Sequence, residues 1–238
     1  MRTDHSFVVE PYSENCRAVY GRREHVVVGV SPGNSYFRVG LLADLLGWLR
    51  AEFKQIDVVI PDSALVHTYV ALGYPAEKAS KKAHAETSVL RNRVLRAWEM
   101  SGNPRDVDGV HRMSELSSHS CYQKLLASAE GILTGDPRLR ETALGMSREV
   151  LLARRPGCDP TCHQLEHALR YITAELPFFL GSAEIFGVPS SLCFYHQRIP
   201  LANDLFAGRS GLRAPERQGY AVIRPRHHAE NRQKGSTT

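Results

Sequence analysis

Apolar residues along this chain alternate between two patterns, short continuous runs and longer stretches in which they recur every three or four positions. The continuous runs are typical of buried strands, and the spaced stretches are typical of helices with one buried face. Strands are predicted over residues 26–30, 56–60, 107–113 and 190–195. Helices are predicted over residues 40–53, 76–100, 118–133, 137–154 and 161–179. This order predicts an α/β fold, with one parallel sheet and helices on both of its faces.

The polarity of the chain changes after residue 206. From there Gly, Arg, Pro and polar residues dominate, a composition that buries too little apolar surface to hold a fold. We therefore expect a single domain over residues 1–206 and a basic, largely disordered tail over residues 207–238. The chain has 238 residues, of which 42% are hydrophobic, and this is enough to bury a full core.

The charge of the chain indicates a class of partner, and its composition indicates a cellular location. The 30 Lys and Arg residues exceed the 25 Asp and Glu residues, and the net charge of +5 favours a polyanionic partner. The sequence has no run of about 18 apolar residues, and its N-terminal residues lack the basic-then-apolar order of a signal peptide. The five cysteines are scattered and odd in number, which is typical of reduced thiols. These features predict a cytoplasmic protein without a membrane segment.

The strand at residues 26–30 leads directly into a turn that carries Ser31. In α/β proteins a serine at this position acts as a nucleophile or binds an anion. Residues 29–33 match the G-x-S-x-G pattern of a hydrolase nucleophile elbow, but Pro32 lacks the backbone N–H that would complete the oxyanion hole. A serine hydrolase stays open as one alternative. In another, Ser31 and Asn34 only cap the following helix.

A carboxylate stands on the predicted helix at residues 161–179. Tyr171 and Glu175 are four residues apart and therefore share one helix face, next to its apolar stripe. Glu175 should be at least partly buried, and Pro177 should kink or end the helix just beyond it. This setting favours a functional carboxylate, and a solvated helix glutamate is the alternative.

The predicted helix at residues 76–100 carries a row of cations beside its apolar stripe. They fall within a sector of about 120° around the helix axis. The row consists of Lys78, Lys81, Lys82, Arg93 and Arg96. Aromatic residues are sparse between them, so the row favours contacts with nucleic-acid phosphates over base stacking. A solvated helix face is the alternative interpretation.

Four potential zinc ligands lie close together in the sequence, namely Cys158, Cys162, His163 and His167. Their spacing is permissible for zinc. However, adjacent residues on a helix point about 100° apart, so Cys162 and His163 cannot easily bind the same ion. We therefore predict no metal and favour a capped helix N-terminus with solvated histidines.

Three motifs of a known family occur here in that family's order. The first combines a histidine, aliphatic residues, Gly, Ser, Asn and an aromatic residue, at His25, Val27, Val28, Gly29, Val30, Ser31, Gly33, Asn34, Ser35 and Phe37. The second is met by Tyr171, Ile172, Glu175 and Pro177. The third is the pair Tyr195 and His196. By these motifs, residues 6–206 resemble the cyclodipeptide synthases, in the subfamily marked by Asn, Tyr and His.

The resemblance implies a Rossmann-like domain similar to the catalytic domain of class I tyrosyl- and tryptophanyl-tRNA synthetases. It also implies two aminoacyl-tRNAs as substrates and a cyclic dipeptide as product. The chain has neither the ATP-binding signatures of those synthetases nor a Walker loop. Because the ester bond to tRNA already activates each amino acid, we expect no ATP and no cofactor, and a monomer is expected.

The same resemblance implies roles for individual residues. Ser31 would hold the aminoacyl and then the dipeptidyl group as an ester, in a ping-pong sequence. Glu175 would take a proton from the attacking amine, Tyr171 would orient that amine, and Tyr195 would position Ser31 or relay a proton. The residues expected to hold the loop and the second substrate are Gly29, Asn34 and His196.

Two binding regions follow from the resemblance. The first aminoacyl pocket is expected to be apolar and lined by Val27, Gly29, Val59, Phe178, Phe179 and Cys193. Such a pocket suits a hydrophobic first residue. The row of cations on the helix at residues 76–100 would bind the tRNA acceptor arm. A serine hydrolase and a non-catalytic tRNA-binding module remain the alternative functions.

Overall fold

The computed structural model describes residues 7–103, 109–206 and 214–226. In this part of the chain, the strands are β1 Phe7–Pro11, β2 His25–Gly29, β3 Gln55–Ile60, β4 Val110–Arg112, β5 Ser191–Tyr195 and β6 Gln218–Pro225. The helices are α1 Glu14–Arg22, α2 Val39–Glu52, α3 Leu65–Ala71, α4 Ala76–Met100, α5 Met113–Leu116, α6 Ser120–Gly135, α7 Pro137–Arg154, α8 Cys162–Ile185 and α9 Pro200–Phe206. No helix among these residues is long and apolar enough to cross a membrane.

The described strands form one sheet in the order β1-β6-β5-β2-β3-β4. Neighbouring strands are parallel except for the edge strand β1, which pairs antiparallel with β6. An antiparallel edge on a parallel sheet is common in α/β folds. The predicted α/β class and Rossmann-like arrangement are confirmed, and the fully parallel sheet is corrected at this one edge.

Helices cover both faces of the sheet because alternate residues of each strand point to opposite sides. On one face, Val26 and Val28 pack with the apolar sides of α2 and α4. On the other, Val27 packs with Cys193 of β5 and Phe178 of α8. The predicted two-sided covering is therefore confirmed, and β2 lies between two apolar layers.

The C-terminal tail is where the sequence prediction was wrong. Strand β6 lies within the segment predicted to be disordered, and it is inserted between β1 and β5. Its central residues Tyr220 to Ile223 are at most 1% exposed. The apolar run of this strand is short and flanked by Arg217 and Arg224, so local composition hides a strand that pairing with two neighbours stabilises. Residues 207–213 and 227–238 of the predicted tail lie outside the described residues.

Most predicted elements agree with the structure to within a few residues. The predicted helix at residues 76–100 coincides with α4, while the predicted strand at residues 107–113 is reduced to β4, with residues 104–108 outside the described part. The prediction also missed β1, α1, α3, α5 and α9, which are short. Short elements of this kind carry too little periodicity to be recognised.

Helix α8 continues past Pro177, so of the two predicted outcomes the helix does not end there but is kinked four residues further on. It departs from helical geometry at Gly181, where φ is −162° and ψ is 42°. A Cβ atom at Gly181 would lie 2.7 Å from Cδ1 of Leu125 on α6, so a larger residue here would require the Leu125 side chain to move. The kink in α8 thus lies where α6 packs closely against it, six residues after Glu175.

Candidate active site

Ser31 stands just beyond the carboxyl end of β2, in the middle of the sheet. Its Oγ shares a hydrogen bond of 2.8 Å with Oη of Tyr195, at the end of the neighbouring strand β5. Because β2 and β5 run parallel, with Val28 paired to Phe194, their ends deliver both hydroxyls to one edge. This edge is where open α/β sheets bind ligands.

The turn after Ser31 is closed by local hydrogen bonds. The backbone N–H of Asn34 donates to the carbonyl of Ser31 at 3.4 Å, and Gly33 between them has φ of 74°. Oδ1 of Asn34 accepts from the backbone N–H of Tyr36 at 2.9 Å and caps the short 3-10 turn Ser35–Phe37. The capping role weighed for Asn34 is thus real. A Cβ atom at Gly29 would meet no atom within 4 Å, which leaves open space beside Ser31.

The hydrogen bond from Tyr36 to Asn34 also determines which ring nitrogen of His196 carries the proton. Since Oδ1 of Asn34 is occupied, its Nδ2 faces Nε2 of His196 at 3.2 Å and must donate to it. Nε2 is therefore unprotonated and the proton of the neutral ring is on Nδ1, which is buried without a hydrogen-bond partner among the described residues. Burial, aided by the charge of Arg224, lowers the pKa of His196 to about 4. His196 is thus a neutral acceptor that holds the turn.

Glu175 and Tyr171 are hydrogen-bonded to each other, and both interact electrostatically with Tyr195. Burial raises the pKa of Glu175 to about 7, and the hydrogen bond from Tyr171 opposes part of that rise. A carboxyl with a pKa near 7 exists in both protonation states at neutral pH. Glu175 is therefore able to accept and return a proton.

The tyrosines around Glu175 remain protonated at neutral pH. Burial, with the added charge of Glu175, raises the pKa of Tyr171 well above its usual value. Burial also raises the pKa of Tyr195, which the hydrogen bond to Ser31 opposes, and raises the pKa of Tyr122 to about 12. Of the three hydroxyls, that of Tyr171 is hydrogen-bonded to Glu175 and that of Tyr195 to Ser31. The hydroxyl of Tyr122 donates to the carbonyl of Ala174 at 2.7 Å.

A second network lies towards the amino ends of the same strands. His25 is at the start of β2, and its Nδ1 lies 2.7 Å from Oγ of Ser191 while its Nε2 lies 2.8 Å from Oδ2 of Asp57. Asp57 also accepts from His111 at 2.5 Å and from Gln55 at 2.8 Å. Burial alone would raise the pKa of Asp57, but hydrogen bonds from His111, His25 and Gln55 hold it well below its usual range.

This buried network has the residue types and contacts of a Ser–His–Asp triad, yet it is closed. Ser191, His25 and Asp57 are at most 2% exposed, so no substrate reaches them. The sequence analysis placed only His25, through a motif, and missed its partners. No local signal marks them, because Asp57 and Ser191 lie 32 and 166 residues away in the chain.

The residues expected to line the aminoacyl pocket do come together. Val27, Val59, Phe178 and Cys193 belong to one buried apolar cluster below the ends of the central strands, and Phe179 packs against it. Burial raises the pKa of Cys193 to about 12, so its thiol is neutral. The cluster is therefore apolar and its thiol carries no charge at neutral pH.

The row of cations lies on α4 as expected. Lys78, Lys81 and Arg96 are exposed, while Lys82 and Arg93 are half-buried. Lys82 lies 4.9 Å from the centre of the Tyr74 ring. A helix rises 1.5 Å per residue, so Arg93 and Arg96 are roughly 16 Å or more from the lysine group, and the row follows the length of α4.

The cysteines and histidines considered as zinc ligands do not gather around a common centre. Cys158 and Cys162 are free and exposed. The rings of His163 and His167 contact each other edge to face, with 4.6 Å between centroids. In the described ranges no three side chains of His, Cys, Asp or Glu are grouped to hold a metal ion.

Known proteins are similar to this chain in sequence and in fold. Residues 7–225 match the family model described as cyclodipeptide synthase. The cyclo(L-tyrosyl-L-tyrosyl) synthase of Mycobacterium tuberculosis is 37% identical over 224 residues, which cover 92% of this chain and 76% of that protein. The cyclo(L-leucyl-L-leucyl) synthase of Bacillus subtilis is 32% identical over 222 residues, covering 91% of this chain and 89% of that protein.

Solved structures match as well. A structure from M. tuberculosis, described as demonstrating that cyclodipeptide synthetases are related to type I tRNA synthetases, has a TM-score of 0.80 at 35% identity and covers 94% of this chain and 95% of its own. A crystal structure of a cyclo(L-leucyl-L-phenylalanyl) synthase has a TM-score of 0.83 at 30% identity, with 93% and 100% covered.

Proposed function

The chain belongs to the cyclodipeptide synthase family of enzymes, and on that premise we propose that it joins two aminoacyl-tRNAs through successive esters on Ser31. The observation that carries this proposal is the 2.8 Å contact of Ser31 with Tyr195, beside a carboxyl whose pKa is about 7. A serine hydroxyl close to a group that can accept a proton is what covalent catalysis of this kind requires.

In the first step, Oγ of Ser31 attacks the ester carbonyl of the first aminoacyl-tRNA. A bond forms between Oγ and the carbonyl carbon, the bond from that carbon to the ribose oxygen breaks, and the serine proton passes to the ribose oxygen. Tyr195 is placed to relay this proton because its hydroxyl contacts Oγ. The exchange of one ester for another needs neither ATP nor a cofactor.

The second step forms the peptide bond. The α-amino group of the second aminoacyl-tRNA attacks the ester on Ser31, the bond from carbon to Oγ breaks, and the dipeptide remains esterified to tRNA. Ser31 then takes over the dipeptidyl group and releases that tRNA. Finally, the free amino end attacks the ester carbonyl, and the diketopiperazine leaves Ser31.

Each attacking amine must first lose a proton. An α-amino group has a usual pKa of about 7.7–8.0, close to the pKa of about 7 of Glu175. Glu175 therefore binds the ammonium and removes its proton, while the neutral Tyr171 hydroxyl orients the nitrogen. Asn34 and the neutral His196 hold the turn, and Gly29 leaves space for the substrate.

The buried cluster of Val27, Val59, Phe178 and Cys193, with Phe179, forms the first aminoacyl pocket beside Gly29. Its apolar, uncharged walls select a hydrophobic side chain. The related synthases described above are named for tyrosyl, leucyl and phenylalanyl products, which supports this class of first residue.

The cations of α4 bind the acceptor arm of tRNA. If Lys78, Lys81, Lys82, Arg93 and Arg96 neutralise phosphates, kcat/KM should fall steeply as salt is raised, and each Lys-to-Gln substitution should reduce the logarithmic slope by about 1. A slope that does not respond to these substitutions would contradict the assignment. The enzyme acts as a monomer in the cytoplasm, where charged tRNA is available.

The proposal is tested by expressing the chain in a bacterium and searching the medium for cyclic dipeptides by mass spectrometry. The wild type should yield product, S31A and E175Q should not, and S118A, at an exposed serine, should match the wild type. Intact-mass analysis with one aminoacyl-tRNA should show an aminoacyl adduct on the wild type and on S118A, and none on S31A.

Two outcomes would favour the alternatives. Ester hydrolysis that depends on a histidine would support a serine hydrolase. Binding of charged tRNA without product, unchanged in S31A, would support a non-catalytic tRNA-binding module. A soluble wild-type protein that forms no cyclic dipeptide with all aminoacyl-tRNAs supplied would refute the proposed function.

A further inference from the structure

Strand β6 is hydrogen-bonded to both segments that form the candidate active site. Oη of Tyr36 donates to the backbone carbonyl of Ile223 on β6 at 3.0 Å. Oη of Tyr220 on β6 donates to the backbone carbonyl of Gln197 at 2.5 Å. Tyr36 packs with the apolar cluster on the α2 and α4 side of the sheet, and Tyr220 belongs to the cluster on the α8 side. The two tyrosines therefore connect β6 to the site from opposite faces of the sheet.

Tyr36 belongs to the turn that carries Ser31. Its backbone N–H donates to Oδ1 of Asn34 at 2.9 Å. Its ring stacks on the ring of His196, with 4.9 Å between centroids and 28° between the planes. His196 in turn accepts from Nδ2 of Asn34 at 3.2 Å. Tyr36 thus ties the turn to β6 through its hydroxyl and covers the ring that holds Asn34.

Tyr220 holds the segment that follows β5. It pairs with Cys193 across the parallel strands β5 and β6, and its hydroxyl reaches Gln197 beyond the end of β5. Tyr195 and His196 lie between these two points of the chain. Tyr220 itself is fully buried. The segment that carries Tyr195 is therefore attached to β6 on both sides of this residue.

Both hydroxyls remain protonated at neutral pH. Burial raises the pKa of Tyr36, and the charge of Arg224 opposes part of that rise. Burial also raises the pKa of Tyr220, and the neighbouring Tyr195 adds to that rise. A neutral phenol has one hydrogen to donate, and each of these tyrosines gives it to a backbone carbonyl. Their hydroxyls therefore hold the backbone and take no part in proton transfer.

The strand ladder alone does not fix the distance between the two hydroxyls of the site. The pairing of β2 with β5 ends at Val28 and Phe194, whereas Ser31 lies three residues beyond Val28 and Tyr195 one beyond Phe194. Oγ of Ser31 nevertheless lies 2.8 Å from Oη of Tyr195. A displacement of about 1 Å at a reacting centre lowers a rate by up to about 100-fold. Contacts from outside these two strands must therefore hold the pair in place.

We propose that Tyr36 and Tyr220 are positioning residues, which anchor the two segments of the site to β6 and so hold Ser31 and Tyr195 at hydrogen-bonding distance. This role rests on the proposed function of Ser31 as the nucleophile. Neither tyrosine is a fixed position of the three motifs in the sequence, and β6 lies outside all of them. The C-terminal strand thereby takes part in the reaction through its hold on the catalytic pair.

The experiment measures kcat and KM for the wild type, Y36F, Y220F and the double variant. Each substitution removes one hydroxyl and keeps the ring. In each single variant kcat should fall about three- to tenfold, the effect of losing one typical hydrogen bond in the transition state. KM for aminoacyl-tRNA should change by less than about twofold. Because loss of either anchor already frees the pair, the double variant should lose less than the product of the two single losses.

A second measurement separates positioning from a loss of stability. Acylation of Ser31 in a single turnover with one aminoacyl-tRNA, followed by intact mass, should slow about three- to tenfold in Y36F and in Y220F. The matched control is S147A, which removes a buried hydroxyl that donates to the carbonyl of Ala143 at 3.0 Å within α7. S147A should also unfold more easily than the wild type but keep its kcat, KM and acylation rate.

The ring of Tyr36 is tested by the tautomer of His196. Nitrogen chemical shifts of isotope-labelled histidine report which ring nitrogen is protonated, and comparison with H196Q identifies the signals of His196. Y36F keeps the stacked ring and should keep the proton on Nδ1. Y36L lacks the ring, so His196 should exchange between both tautomers and kcat should fall by about 10–100-fold.

Circular dichroism and thermal unfolding establish that each variant is folded, and Y36F with Y220F decides the outcome if Y36L does not fold. Values of kcat within twofold of the wild type in both Y36F and Y220F would overturn the inference. Losses that simply multiply in the double variant would also overturn it, as would an unchanged tautomer and kcat in Y36L. A wild type without product, or product formation by S31A, would instead refute the proposed function itself.

Discussion

The central strands β2 and β5 have a hydrogen-bonded network that contains a serine at each end. The two networks differ in burial and in the number of hydrogen bonds that their carboxyl groups accept. At the amino ends, Ser191, His25 and Asp57 are closed off from solvent and fully paired. At the carboxyl ends, Ser31 and Tyr195 meet beside open space. The network with the residue types of a hydrolase triad is thus fully buried, and the one without them is partly exposed.

The two carboxyls of these networks have pKa values shifted in opposite directions by the same forces. Both are removed from solvent, which raises the pKa of a carboxyl. Asp57 receives hydrogen bonds from three side chains, and they hold its pKa well below the usual range. Glu175 receives one, from Tyr171, and its pKa stays at about 7. The number of side-chain hydrogen bonds that each carboxyl accepts therefore decides its state at neutral pH: Asp57 keeps its charge, and Glu175 exchanges protons.

The largest expected effect is on the rate of the open network. E175Q keeps the size of the side chain but cannot accept a proton, so kcat should fall by about 10²–10⁴-fold. Steady-state assay of product by mass spectrometry with purified aminoacyl-tRNAs measures this. Urea denaturation at pH 7 should show that E175Q is at least as stable as the wild type, and a kcat within threefold of the wild type would contradict the role of Glu175.

The closed network should respond in stability instead. D57N leaves His25 and His111 facing an amide that cannot accept from both, so the free energy of unfolding should fall by about 3–5 kcal/mol. Chemical denaturation followed by tryptophan fluorescence provides the value. If the free energy of unfolding of D57N is less than about 1 kcal/mol below that of the wild type, the buried network does not stabilise the sheet as described.

The pH dependence of stability should separate the two carboxyls. The folded pKa of Glu175 is raised, so the folded state binds more protons than the unfolded one between about pH 4.5 and 7, and stability falls as pH rises through that window. The folded pKa of Asp57 is lowered, so its contribution is complete above about pH 4 and is lost only at lower pH.

This difference is measured by denaturing the wild type and E175Q at pH 5 and pH 8. E175Q should lack the decline due to Glu175 and be more stable than the wild type at pH 8 by roughly 1–3 kcal/mol. Equal pH slopes in the two proteins would show that the pKa of Glu175 is not raised in the folded state.

The smallest expected effect is the loss of stability in S191A, and S31A provides the comparison. S191A removes one hydrogen bond to His25 and should cost about 1 kcal/mol of stability with product formation retained. S31A should have the opposite profile, with stability near the wild type and no product. Loss of product in a folded S191A variant would indicate that the reaction takes place at the closed network.

Much of the fold was predictable because buried strands and amphipathic helices carry their own periodicity. The predicted helix at residues 76–100 coincides with α4 for this reason. Strand β6 was missed because its pairing with β1 and β5 joins residues from both ends of the chain. Composition around Arg217 and Arg224 suggested disorder, and no local pattern outweighed it.

The amino-acid sequence by itself determined the family, the α/β class and the motifs that contain Ser31, Tyr171 and Glu175, because these depend on residue type and spacing. Only the tertiary structure decided that Ser31 meets Tyr195, that Asp57 accepts hydrogen bonds from three side chains, and that Glu86 of α4 pairs with Arg154 of α7. Ionisation depends on burial and on partners distant in sequence, and those exist only after the chain has folded.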